Sequence, residues 1–156
     1  MSLELQLLAQ LRLSAASGVV CCGAELLVVA DDELLLQRYS DAGVYLGQQP
    51  LLEGDLPVDP ALRKRLKPDF EILCQFPDGR LLALGSGSKK RRRRAVLWQA
   101  GATQVIDLTP LYLALEARLP DLNLEGAVVQ GELLLLAQRG NSSGSLNALI
   151  SLDLAT

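Results

Sequence analysis

Two glutamates, Glu71 and Glu125, each follow a Pro-Asp pair (Pro68-Asp69 and Pro120-Asp121) and each stand near the start of an apolar run. A carboxylate at the same place in two similar segments suits general-base work. With oxygen-bearing neighbours it suits a hard cation such as calcium. Lys67 precedes the first pair, while Arg139 and Asn141 follow the second apolar run and add a cation and an amide. Lys67, Asp69, Glu71, Glu125, Arg139 and Asn141 are therefore the candidate ligand-binding residues, and Glu71 and Glu125 the candidates for catalysis. A small anionic ligand is the other option, gripped by Lys67 and Arg139 with the carboxylates orienting them. The plainer reading is that these charges only pair with one another between neighbouring segments.

Composition narrows the chemistry further. The chain of 156 residues contains no histidine, which removes Ser-His-Asp and Cys-His nucleophiles, histidine-ligated metals and imidazole bases. A binding or scaffold module is favoured over an enzyme. Cys21, Cys22 and Cys74 sit among Val, Ile and Leu without metal-site spacing, and are expected to be buried, reduced thiols. With 49% apolar residues, no run of membrane-spanning length and no secretory pattern at the N-terminus, a cytoplasmic protein with a real core is expected.

The net charge of −3 is unevenly spread. Lys89-Lys-Arg-Arg-Arg-Arg94 holds six of the fifteen Lys and Arg, leaving nine against eighteen acidic residues elsewhere. Arg91, Arg92, Arg93 and Arg94 are the candidate polyanion-binding residues. Nucleic acid is disfavoured, because two Phe and one Trp offer little to stack bases on and the surrounding domain is acidic. A solvated hairpin loop is the competing interpretation. Gly85-Ser-Gly-Ser88 lacks the Gly-Lys-Ser/Thr and following helix of a phosphate loop.

The elements that must position these residues come in repeats. Pro60–Glu71 running into Ile72–Gly85 is matched by Pro110–Glu125 running into Gly126–Gln138, and Gly18–Ala30 is a weaker copy without the helix. Each unit joins a proline-opened helical turn (near 59–67 and 109–118) to short strands. Strands are expected over 3–13, 18–22, 26–30, 33–39, 71–76, 81–85, 95–99, 103–107 and near 126–130, 132–138 and 146–154. Residues 40–58 and 85–94 read as loops, and Pro77-Asp-Gly-Arg80 as a hairpin turn. The result is an all-β chain, a partial β-propeller of about three antiparallel blades over roughly 15–58, 59–108 and 109–156 within a single domain. Three blades cannot close a ring, so self-association into six blades, or the missing half of a longer chain, is expected. The strand at 3–13 would complete a blade.

The stretches Lys67–Glu71, Pro77–Ser88, Asp107–Tyr112, Leu124–Gly126 and Gln138–Asn141 resemble an uncharacterised bacterial β-propeller family. That family is similar to the esterase-like domain associated with some phytases. The resemblance implies a propeller about twice this length, of which the chain matches the N-terminal half. It also raises a phosphoesterase or esterase-like alternative in which Glu71 or Glu125 is the base, with bound calcium polarising the substrate.

Overall fold

The structure is a computed structural model and describes residues 4–154. Among the described residues, eleven strands form three antiparallel sheets. The first blade is β1 (Ala16–Cys22), β2 (Glu25–Ala30), β3 (Leu35–Ser40) and β4 (Tyr45–Pro50), paired in that order. Helix α1 (Pro60–Leu66) leads into the second blade, β5 (Phe70–Gln75), β6 (Leu81–Gly85), β7 (Arg94–Gln99) and β8 (Ala102–Asp107). Helix α2 (Thr109–Glu116) leads into the third, β9 (Leu124–Gln130), β10 (Leu133–Gln138) and β11 (Ala148–Asp153). First strands lie side by side, β1 against β5 and β5 against β9, so they line a common axis. The expected fold class, a partial propeller of three blades, is what the chain adopts.

Packing explains the hydrophobic patterning. The middle blade is buried on both faces. Phe70, Leu73, Leu81 and Ala83 pack with Leu27, Val29 and Leu36 of blade one. Ile72, Cys74, Leu82 and Leu84 pack with Leu124, Leu134 and Leu136 of blade three. Successive residues of a strand point to opposite faces, so β6 must be apolar at every position. Leu81-Leu-Ala-Leu-Gly85 is. Gly18 lets β1 approach β5, since a Cβ there would stand 2.8 Å from the Leu73 nitrogen.

Several expectations need correction. The strand over 3–13 is absent: residues 4–13 carry no regular structure, and residue 3 lies outside the described residues. A strand needs an edge to pair its backbone groups with, and this segment has only the face of blade one beneath it. Residues 45–50, read as loop, form β4, an outermost strand whose alternation is blurred by Gly47, Gln48 and Gln49. The basic stretch is not one open loop. It contains a 3₁₀ turn at Lys90–Arg92, and Arg94 already belongs to β7. Cys74 is buried, but Cys21 is exposed on the outer face of β1. No helix among the described residues is long and apolar enough to cross a membrane.

Both helices hold the blades in phase. Asp59 caps α1 through its side chain to Leu62 N at 2.8 Å, as the Asp-Pro signal predicts. At α2 the cap residue is Leu108, which makes no side-chain cap bond, and Asp107 accepts from Thr109 N at 2.9 Å. Tyr112 on α2 is fully buried and donates to the Gly85 carbonyl at 2.6 Å. Its ring lies against Gly87, which has φ +76°, and a Cβ there would fall 2.0 Å from the ring. Gly87→Ala therefore combines a left-handed alanine with an overpacked aromatic. It should cost about 2–5 kcal/mol, read as a lower urea midpoint at unchanged slope.

Candidate functional site

Each innermost strand carries a β-bulge at the same place. The pairing steps from Ala16 to Gly18 in β1, from Phe70 to Ile72 in β5 and from Leu124 to Gly126 in β9, leaving Ser17, Glu71 and Glu125 as the extra residues. A bulge frees its residue from the ladder and re-aims the side chain. The neighbouring bonds repeat as well: Asp31 N to Ala15 O, Ser86 N to Asp69 O, and Arg139 N to Asn123 O. The three bulges therefore stand at one mouth of the axis, where the inner strands begin. Glu71 and Glu125 are equivalent, as their sequence contexts predict. Ser17 is the member that sequence reasoning missed. Its hydroxyl donates to the Phe70 carbonyl, which ties blade one to blade two at this level.

Asp69 organises the mouth. It is buried, with φ 61°, a left-handed conformation that Asp tolerates better than most residues. Its carboxylate receives Ser86 Oγ at 2.5 Å, Lys67 Nζ at 3.0 Å and Arg92 at 2.9 Å. Lys67 also pairs with Asp31 at the end of β2, and Arg92 donates to Ser88 at 2.9 Å. This network joins blade one, the end of α1, blade two and the basic turn.

Glu71 is left over. Asp31, Asp69 and Glu71 place carboxylate oxygens within 4.8 Å of one another, yet Lys67 and Arg92 are committed to the two aspartates. Burial, then the negative charges of Asp69, Asp31 and Glu125, push the Glu71 carboxyl up to about 7, against a smaller opposing pull from Lys67. Three carboxylates are a hard-cation donor set, but an ion here would have to displace the Lys67 ammonium. Glu125 is better matched, accepting from Asn123 Nδ2 at 2.5 Å and lying 3.4 Å from Arg139, whose side chain is two-thirds exposed.

The structure thus brings Lys67, Asp69, Glu71, Glu125 and Arg139 to one mouth. Asn141 is exposed in the loop after β10, and among the described residues no hydrogen bond ties it to either glutamate. Asp121, the sequence counterpart of Asp69, shares its φ of 61° but faces outward, where Ser142 and Ser145 donate to it at 2.8 and 3.2 Å. Asp31 and Asn123 were not anticipated. Asp31 stands in what reads as a plain Asp-Asp turn.

The basic run divides. Lys89, Lys90 and Arg91 are exposed; Arg92 enters the Asp69 network; Arg93 is buried and paired with Glu116 of α2. Arg94 is half-buried, and burial together with Arg91 lowers its pKa.

These features define a three-bladed partial propeller with a polar axial mouth. The chain matches the family of unknown function DUF6929 over residues 12–156 and belongs to it. No curated protein matches the chain. Among solved structures, one described as YCF48 bound to D1 peptide is similar at 12% identity and a TM-score of 0.38. The match covers 91% of this chain and 40% of that protein, so the chain spans less than half of its length.

Asp69→Ala and Asp121→Ala both place alanine at φ near 61°, so the backbone strain is shared and their difference reports the buried network. Asp69→Ala should be less stable than Asp121→Ala by about 3 kcal/mol in urea unfolding, since it removes the carboxylate shared by Lys67, Arg92 and Ser86 and leaves Lys67 only Asp31 and Arg92 only Ser88. Equal midpoints would show that the network adds nothing.

Proposed function

We infer that this chain is a binding module rather than an enzyme, and that its axial mouth receives a small ligand presenting a cationic or hydrogen-bond-donating group to Glu71 and Glu125. The observation that carries the reading is the unmatched carboxyl of Glu71, half-buried, raised to about 7, and aligned with Ser17 and Glu125 on equivalent bulges. A positively charged group there would give Glu71 the kind of counter-charge that Lys67 and Arg92 give to the aspartates. The same commitments disfavour an anionic ligand, because the two innermost cations are already neutralised. The hydrolytic alternative hinted at by the phytase-associated resemblance has a carboxyl in a useful pKa range. It gains no second feature, since the cations near Glu71 are held by carboxylates rather than free to polarise a substrate.

The site makes a pH-dependent contribution of definite sign. Folded Glu71 binds its proton up to about pH 7, whereas an ordinary glutamate releases it near 4.5. Folded protein therefore holds more protons across that window, and stability falls as pH rises through it. Glu71→Gln should flatten this slope and raise the melting temperature at pH 8, as followed by circular dichroism.

Binding is tested with two probes, calcium chloride and putrescine, each added at pH 8 in rising concentration. At least one should raise the melting temperature of the natural chain in proportion to the logarithm of its concentration, and neither should stabilise Glu71→Gln. The reading fails if both proteins respond equally, or if neither probe acts while inorganic phosphate does.

A further inference from the structure

Blade three has three strands, whereas blades one and two have four. Its open edge is β11, and its outer face, the one turned away from blade two, bears Val128, Leu135 and Leu149. Leu149 is 87% exposed. At the other end of the array, residues 4–13 alternate apolar and polar side chains like a strand, but pair with none. Leu5 and Leu7 are 96% and 87% exposed.

The path of this segment is informative. It passes the β3–β4 turn, where a Cβ on Gly43 would meet the Leu8 carbonyl at 2.7 Å. It then runs over blade one to Arg12, whose backbone nitrogen donates to Tyr39 Oη at 3.0 Å and whose carbonyl accepts from Gln37 at 2.8 Å. At the mouth, Ser14 donates to Asp32 at 2.7 Å. The direction is toward the mouth, on the outer face of blade one, immediately ahead of an innermost strand. That is the place and polarity of β4 ahead of β5 and of β8 ahead of β9. Residues 4–13 thus lie where the outermost strand of a preceding blade would lie. A groove of about 470 Å³ remains beneath them, lined by Leu7, Leu8, Leu11, Val19 and Leu26.

The geometry points to a second copy of this chain as the occupant. Blade three of one copy seats its outer face on blade one of the other and takes that copy's residues 4–13 as its fourth strand, antiparallel to β11. Reciprocal exchange uses the same two surfaces twice and closes six blades about one two-fold axis. It also removes both unpaired features at once, the β11 edge and the stranded leucines. This inference is independent of what the mouth binds.

Size-exclusion with light scattering on the full chain at tens of micromolar should give twice the monomer mass of 16.8 kDa. The double variant Leu5→Asp, Leu7→Asp changes two side chains that the single chain leaves in water, so its fold should survive, checked by far-ultraviolet circular dichroism. It should run as a monomer, as should Leu149→Glu. A monomeric natural chain overturns the proposal, and so does a double variant that dimerises as tightly as the natural chain.

Discussion

The arrangement at the mouth depends on the buried carboxylate of Asp69. It sits one residue ahead of the innermost strand of the middle blade, and three donors converge on it: Lys67 from the end of α1, Ser86 from the end of β6 and Arg92 from the basic turn. A buried charge is tolerated only when paired and hydrogen-bonded, so these elements cannot drift apart without exposing an uncompensated ion. Through Lys67 the network reaches Asp31 and so registers blade one against blade two. The same demand has a cost next door. Having drawn in both nearby cations, Asp69 and Asp31 leave Glu71 facing like charges in a partly dry place, and its proton is retained toward neutrality.

Architecture and site are linked by the bulges. Without an extra residue at Ser17, Glu71 and Glu125, these side chains would follow the ordinary alternation into the interblade cores, where a carboxylate would be costly. The bulge releases each one while the residues around it keep their packing: Phe70 on the blade-one side, Ile72 on the blade-three side. An apolar core on both faces of the middle blade and a polar ring at its end are thus compatible within one strand.

Much of this was legible in the residues. Proline-opened helices, the Asp-Gly hairpin and the every-position apolar run of β6 each have a local cause, and the structure contains all three. The pairing of Glu71 with Glu125 was legible because both copies keep the Pro-Asp ahead and the apolar run behind. Ser17 was not, because blade one has neither a Pro-Asp nor a glutamate there; only its even spacing along the chain marks it. Arg92 and Arg93 read as part of a solvated run because charge alone does not reveal a turn that folds them inward onto Asp69 and Glu116. Residues 4–13 failed in the opposite way. Their alternation is that of a strand, but a strand forms only where an edge is offered, and an edge is a property of the surroundings rather than of the segment.

The central claim is that Glu71, at a partly desolvated mouth, feels more negative than positive charge, because Lys67 and Arg92 pair with Asp31 and Asp69. Carbon-13 carboxyl chemical shifts of labelled protein, followed from pH 3 to 9, measure this directly. Glu71 should titrate near 7. A midpoint at the ordinary glutamate value of about 4.5 would mean that the carboxyl is solvated or paired, and the account of the mouth would be wrong.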